Sequence, residues 1–483
     1  MRILLAGSEA VPFAKTGGLA DVLGALPAAL GALGHETVLV LPLYGAVDRA
    51  ANGITRTDHR LRARVGADTV DLRVWTAEIP GGKAWLLEND VLFGAEDFYG
   101  GADEDIATRF VAFGRGIVEL LRAPPDGRAF DIFHGNDWQT GLVPAWLRTT
   151  DAGDAALARI GTIFTIHNLA YQGAFPAAIF DLLGIPKKHF TMAELEFFGT
   201  VCFLKGGLVF SDILTTVSEK YAEEILTPEL GSGLDGLLRE RAGDLHGVRN
   251  GVDVETWNPE TDRHLPARYS AKAISPKDLC RSALMREVGL PRGDDVPLAG
   301  IISRFAAQKG LDLVFERLDA ILQRVRLVIL GSGETKYETR FRDAARQRPD
   351  RLSATIGYDD SRAHRIEGGC DLFLMPSVYE PCGLNQIYSL RYGAVPVVRA
   401  TGGLDDTVFD ADADPARGNG FKFTRYDADD FVHAIDRALA ARRDPQRWAA
   451  IRHRGMTTDF SWSRAAEKYS TLYEAAAARA RQR

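Results

Sequence analysis

The first 41 residues, MRILLAGSEAVPFAKTGGLADVLGALPAALGALGHETVLVL, decide the fold class. Arg2 to Ala6 is a short apolar run that reads as a buried strand. A loop carrying Lys15-Thr16-Gly17-Gly18 follows. Leu19, Val22, Leu23, Leu26, Leu30 and Leu33 then recur at spacings of three and four, which puts them on one face of a helix. Gly34 and His35 stop that helix, and Thr37 to Leu41 reads as a second strand. Strand, glycine loop, helix, strand is a βαβ unit. Such units build parallel sheets with helices on both faces.

The unit recurs. Phe130 to His134, Gly161 to Ile166 and Asp212 to Val217 are further short apolar runs that each stop at polar residues. A second series starts at Pro297 to Ile302 and continues through Arg326 to Leu330, Asp371 to Met375 and Val395 to Val398. Two doubly wound α/β sheets are expected, hence two Rossmann-like domains. A hinge is expected near Gly247–Asn250, where Asn250-Gly251 signals a turn and residues 257–277 are rich in proline and polar residues. The expected domains are 1–247 and 248–459. A helix over 460–483 ends the chain, and periodicity does not say which domain it covers.

At 483 residues the chain exceeds one ordinary core. A net charge of −7 argues against a broad nucleic-acid-binding face, which needs a basic surplus. Cys202, Cys280, Cys370 and Cys382 have no metal-ligand spacing and suit a reducing compartment. No apolar stretch reaches the ~20 residues needed to span a bilayer. The N-terminal apolar run is too short for a signal peptide, so a soluble, cytoplasmic protein is expected.

In open α/β sheets, ligands bind beyond the carboxyl ends of the strands, and this rule selects the segments that could carry chemistry. In the Lys15 loop, Gly17 and Gly18 let backbone approach a phosphate, while the following helix adds its positive end and Lys15 a full charge. In Ser303–Gly310, Arg304 and Lys309 could hold both sides of a diphosphate. In Glu380-Pro381-Cys382-Gly383-Leu384, Pro381 suits a first helical position. Cys382, Gly383 and Leu384 would then present free N–H groups, and Glu380 could receive sugar hydroxyls. Asp137 and His167, at two other strand ends, could bind sugar hydroxyls or a positive charge developing at an anomeric carbon. Trp138, Tyr99 and Tyr171 could stack on sugar rings. Thr401-Gly402-Gly403-Leu404 echoes Thr16-Gly17-Gly18-Leu19.

Other classes fit less well. A nicotinamide-dependent oxidoreductase needs GxGxxG after the first strand and an acid closing the second. Here the loop is Lys15-Thr16-Gly17-Gly18-Leu19 and the second strand ends Leu41-Pro42-Leu43-Tyr44. Asp103-Glu104-Asp105 and the acidic run Asp410–Asp414 match a metal-binding DxD by letters, but no strand precedes either. Both read as solvated charge. A glycosidase gives the cation-rich loops no purpose. A non-catalytic sugar-binding module stays open.

Together these segments resemble the family of bacterial glycogen synthases and plant starch synthases over essentially the whole chain. The signatures are Lys15 through Asp21-Val22, His134-Gly135-Asn136-Asp137-Trp138-Gln139-Thr140, Thr165-Ile166-His167-Asn168-Leu169 and Arg249-Asn250-Gly251-Val252-Asp253. They continue in Ser303-Arg304 through Lys309-Gly310, Glu380 through Gln386, and Tyr392-Gly393 through Leu404. The resemblance implies the two-domain GT-B glycosyltransferase fold, with the last helix crossing back onto the N-terminal domain. It implies a cytoplasmic enzyme that moves glucose from a nucleotide sugar to an α-1,4-glucan with retention of configuration. The sugar donor and the glucan acceptor would be its partners, with no cofactor, metal, nucleic acid or membrane involved. ADP-glucose is the expected donor and UDP-glucose the alternative.

By position, Lys15, Arg304 and Lys309 would neutralise the departing diphosphate and Glu380 would contact the donor glucose. Gly383, Leu384, Gly402 and Gly403 would supply backbone donors, with Cys382 and Thr401 beside them. Asp137, His167 and Asn250 would line the sugar side, and Asp21, Tyr99, Trp138 and Tyr171 the acceptor. No carboxylate nucleophile is evident, which favours front-face attack by the acceptor hydroxyl. Closure of the two domains is expected, because the catalytic groups are divided between them. Three positions depart from the family pattern. Asn136 stands where a His is frequent, Val378-Tyr379 replaces Arg-Phe, and Tyr388 sits where related transferases carry a second Glu.

Overall fold

The computed structural model describes residues 1–95, 98–292 and 295–483. It divides into two compact units: Met1–Gly251 with Trp462–Arg483, and Val252–Ser461. The first crossing therefore lies just beyond the expected hinge.

Unit 1 is built on a nine-stranded sheet. Its strands are β1 (Arg2–Ala6), β2 (Glu36–Pro42), β3 (Thr55–Val65), β4 (Asp68–Ile79), β5 (Gly82–Glu88), β6 (Ile132–Asn136) and β7 (Gly161–Ile166). After β8 (Ala174–Pro176), β9 (Glu196–Phe197) and β10 (Thr200–Cys202), which form a small sheet of their own, β11 (Ile213–Thr216) and β12 (Leu245–Gly247) complete it. The order is β12-β11-β7-β6-β1-β2-β5-β4-β3. Every pair from β12 to β5 is parallel, while β4 and β3 add an antiparallel edge. The chain winds outward in both directions from β1 and β6, so these neighbours flank the crevice where such sheets bind ligands.

The helix Gly18–Ala32 buries Leu19, Val22, Leu23, Leu26 and Leu30, as its spacing predicts. Leu33 does not join them; it lies past the last helical turn, 44% exposed, and Gly34 at φ +82 turns the chain away. The antiparallel edge is missing from the sequence reading. Its outer strand is rich in arginine, and only Leu61, Ala63 and Val65 alternate inward.

The last helix, Ser463–Arg481, lies on this sheet and not on unit 2. Tyr469, Tyr473, Ala476 and Ala477 join the core of unit 1. His134 of β6 ties the helix down, with Nδ1 2.9 Å from the Tyr473 hydroxyl and Nε2 2.6 Å from Thr165 Oγ1. Gly161 makes the fit possible, because a Cβ there would lie 2.7 Å from the Ala476 carbonyl carbon.

Unit 2 carries an all-parallel sheet of β13 (Leu298–Ile302), β14 (Arg326–Gly331), β15 (Leu352–Ile356), β16 (Leu372–Met375), β17 (Val395–Arg399) and β18 (Phe421–Phe423). The order β15-β14-β13-β16-β17-β18 puts the winding reversal between β13 and β16. One face packs Leu327, Ile329, Leu372, Leu374 and Val397 against Phe431 and Ile435 of the helix Ala428–Arg442. The other packs Val328, Leu330, Phe373 and Val398 against Leu284 and Ile366. Burial on both faces explains why these strands read as continuous apolar runs.

Of the two acidic stretches expected to be solvated charge, the first is exposed as expected and the second is not. Asp103, Glu104 and Asp105 form the first turn of the helix Asp103–Arg122, where acids are favoured. Asp410 is 9% exposed and accepts Arg437 and the Lys422 amide, while Asp412 pairs with Arg437 and Arg447. This second cluster fastens helices to the sheet of unit 2.

Candidate active site

In unit 1 the expected residues collect at the ends of β1, β6 and β7. Asp137 follows β6 directly, at φ +55 and ψ 177, a backbone region that L-residues avoid. The strain is held by hydrogen bonding. The Asp137 amide donates to Thr165 O, and its Oδ1 accepts the His167 amide at 2.7 Å. Burial pushes the Asp137 carboxyl up to about 7 against the opposing amides of His167 and Asn168, and the negative charge of Glu9 adds to the rise. His167 is not a cation here. Burial pushes its imidazole down to about 3, and Nε2 donates to Asn136 Oδ1 at 2.9 Å. Asn136 is oriented by its own Nδ2, which donates to Ala6 O at 3.1 Å. A neutral histidine can orient a sugar hydroxyl but cannot itself bring positive charge.

Glu9, just beyond β1, organises this corner, and the sequence reading missed it. Its carboxylate accepts the Thr16 amide and hydroxyl, the Gly17 amide at 3.1 Å and the Tyr99 hydroxyl at 3.1 Å. The Gly17 N–H is therefore engaged by a carboxylate in this state and not presented to a phosphate. Lys15 pairs with Asp21 at 2.7 Å, so the lysine charge is held by a carboxylate here. The Tyr99 hydroxyl also meets Ser8 Oγ at 2.8 Å, and its ring stacks on Phe110. Trp138 is a packing residue: Phe110, Phe175 and Phe203 surround it, and a Cβ on Gly173 would lie 2.4 Å from its ring. Of the three aromatics expected to stack on sugar, Tyr171 is the exposed one, at 50%. Asn250 is buried, and its Oδ1 has no hydrogen-bond partner among the described residues.

In unit 2 the loops after β13 and β16 are zipped together. Val378 N donates to Gln308 O, and Gln308 Nε2 donates to Tyr379 O. Gly310, at φ +65, approaches Pro376 so closely that a Cβ would sit 1.9 Å from its carbonyl oxygen. The contact brings Lys309 Nζ to 2.7 Å from Glu380 Oε2, which also accepts Ser377 Oγ at 3.1 Å. Glu380 is 6% exposed, so its carboxylate sits in a low-dielectric setting, while Arg304 in the loop after β13 is exposed.

The Glu380 loop is longer than expected. The helix starts at Asn385, so Pro381 lies four residues outside it, and Gly383 at φ +65 makes the turn between them. Cys382 is buried in this turn. Among the described residues the amides of Gly383 and Leu384 have no hydrogen-bond partner, as a backbone donor site requires. Gly403 cannot serve in this way, because its amide already donates to Glu380 O and Pro381 O. Gly402, at φ +45, and buried Thr401 form the start of the helix Gly402–Thr407. A Cβ at Gly402 would lie 2.1 Å from Glu380 O, so this glycine sets the height of the Glu380 loop. Tyr388 lies parallel to Trp257 with ring centroids 3.8 Å apart. An aromatic contact thus fills the place where related transferases carry a second Glu.

A glycogen synthase from Anaeromyxobacter sp. (strain Fw109-5) is 52% identical over 482 residues, covering 99% of this chain and 100% of that relative. The chain belongs to the glycogen and starch synthase family. A glycogen synthase from Koribacter versatilis (strain Ellin345) is 45% identical over 489 residues, covering 99% of this chain and 98% of the relative. Residues 2–240 match the family model of the starch synthase catalytic domain, and residues 287–452 that of glycosyl transferases group 1. The catalytic domain of starch synthase IV from Arabidopsis thaliana, solved bound to ADP and acarbose, superposes with a TM-score of 0.91 at 32% identity, each chain 99% covered. The fold is accordingly that of GT-B glycosyltransferases, and the chain is a glucosyltransferase of glycogen synthesis. No helix of the described residues is long and apolar enough to cross a membrane.

Proposed function

We propose that the chain transfers glucose from ADP-glucose to the non-reducing end of an α-1,4-glucan with retention of configuration. The observation that carries this reading is the part-buried Lys309–Glu380 pair at the winding reversal of unit 2, beside the amides of Gly383 and Leu384. A part-buried ammonium held at 2.7 Å by a buried carboxylate is oriented before substrate arrives. Aimed with Arg304 at a diphosphate, it acts on the charge that grows as the bond from glucose C1 to the diphosphate oxygen breaks. In many enzymes, preorganised charges of this kind lower the barrier more than any other single effect. Glu380 then accepts glucose hydroxyls, and the ionised form of Asp137 favours an oxocarbenium-like centre. Attack by the acceptor hydroxyl on the face that the diphosphate leaves accounts for retention, with the released proton passing to the departing diphosphate. The ADP named with the Arabidopsis structure supports an adenine nucleotide, and the acarbose a glucan-like acceptor.

The experiment is transfer of labelled glucose from ADP-glucose and from UDP-glucose to glycogen, with wild type and Lys309→Ala side by side. The expected result is incorporation chiefly from ADP-glucose, reduced ~10²–10³-fold in a variant that still melts cooperatively. Preference for UDP-glucose would overturn the donor assignment. Glycogen binding without transfer from either donor would favour a carbohydrate-binding role.

A further inference from the structure

We propose that His264, Asp360 and His364 of unit 2 form a three-ligand site for a divalent transition cation of the zinc type. One ligand atom from each lies within 4.8 Å of the other two. Asp360 and His364 are four residues apart on the helix Asp360–Gly369, so they share one face. His364 Nε2 faces Asp360 Oδ2 at 4.0 Å, while the other oxygen, Oδ1, accepts the Tyr358 hydroxyl at 3.1 Å. His264 comes from the preceding loop, its ring centroid 4.9 Å from that of His364.

The support behind these side chains distinguishes the cluster from a chance meeting of polar groups. Buried Asp262 accepts His364 Nδ1 at 2.7 Å through Oδ2 and the His264 amide at 2.8 Å through Oδ1. The Tyr392 hydroxyl donates to the same Oδ2 at 2.6 Å. The Asp262 carboxylate accepts from Nδ1, which leaves Nε2 as the ring nitrogen turned toward Asp360. A carboxylate behind a ligating histidine is the usual way a protein orients a metal ligand and raises its basicity.

The ring of His364 is fixed in its own plane as well. It lies 3.8 Å from Trp257 at an interplanar angle of 6°, and Tyr388 lies 3.8 Å from the same indole at 7°. Two parallel rings at that distance cannot share one face, so Trp257 is sandwiched between them. Tetrahedral coordination at 2.0–2.2 Å needs ligand atoms about 3.4 Å apart. Rotation of the exposed Asp360 side chain supplies the contraction. Arg263, whose Nε is 3.5 Å from His264 Nε2, is the competing cation, and it is exposed and able to withdraw. Two imidazoles and one carboxylate favour zinc-like ions over magnesium, which prefers all-oxygen sites. Water completes the shell. A bound ion would join the loop from Trp257 to His264 to the helix Asp360–Gly369, apart from the Lys309–Glu380 pair.

The test uses the untagged full chain, stripped with chelator and titrated with Zn2+ by calorimetry, with Mg2+ as control. Co2+ is then added to read the visible absorption of a tetrahedral site. The expected result is one Zn2+ per chain, a Co2+ band, and a rise in melting temperature with Zn2+. His264→Ala and Asp360→Ala, both at partly or fully exposed positions, should each weaken binding at least tenfold and abolish the thermal shift. Asp262→Asn should weaken it about 10–100-fold with the band retained. Zn2+ binding left unchanged by His264→Ala and Asp360→Ala would overturn the assignment. So would the absence of saturable binding in a wild-type chain that transfers glucose normally.

Discussion

Asp137→Asn separates the charge of this residue from its shape. Asn can keep the strained backbone and still accept the His167 amide through Oδ1, so the exchange removes only a titrating proton. The Asp137 carboxyl is raised from 3.8 to about 7. The folded protein thus holds a proton that the unfolded chain releases, and stability falls as pH rises through the window from about 4 to about 7. A displacement of about three pH units corresponds to about 4 kcal/mol at pH 8, of which about 2.5 kcal/mol develops between pH 5 and pH 8. Asn carries no such penalty. Its melting temperature, measured against wild type across this range, should gain about 5 °C on wild type between pH 5 and pH 8. Transfer should move the other way. The wild-type rate should climb with pH as Asp137 ionises, and the variant should be slow and flat. A melting difference that stays constant with pH, or one that shrinks as pH rises, would refute an Asp137 held neutral by burial.

Three further outcomes follow from close contacts. Glu9→Gln removes the negative charge that helps to raise Asp137, so the midpoint of the pH–rate profile should move to lower pH. It should also loosen the Thr16–Gly17 turn, measurable as faster amide exchange there. Gly402→Ala places a methyl group on the Glu380 carbonyl and strains the backbone at φ +45, so kcat should fall about 10²-fold, with the fold preserved by circular dichroism. Gly161→Ala presses on the backbone of Ala476 and Ala477 and should cost unit 1 about 1–3 kcal/mol, read by urea unfolding.

The strands that carry the site were readable because burial on both faces leaves an uninterrupted apolar run ending in polar residues. Their carboxyl ends then led to Asp137, His167, Lys309 and Glu380 without knowledge of any contact. What could not be read depends on partners distant in the chain. Glu9 is a single acid after a strand, and Tyr99, ninety residues on, completes its role. Asp262 and His364 are a hundred and two residues apart, with no spacing rule to join them. The loop from Glu380 to Leu384 misled because Pro381 fits a helix start, yet the close approach of Gly402 and the turn at Gly383 delay the helix to Asn385. Trp138 misled in another way: indoles suit sugar faces and apolar cores alike, and only its three phenylalanine neighbours decide between them.

The discontinuity of unit 1 has a consequence for synthesis on the ribosome. Unit 2 is one uninterrupted segment, Val252–Ser461, and closes its core without any residue made after it. Unit 1 does not. His134 is made 339 residues before Tyr473, its buried partner. Until then β6 and β7 present an uncovered apolar face beside a buried imidazole with one hydrogen bond unmade. The nascent chain therefore spends most of its translation time with its first-made sheet incomplete. That face is where a chaperone would engage it, and an mRNA broken near its end would yield a product with unit 2 folded and unit 1 prone to aggregate.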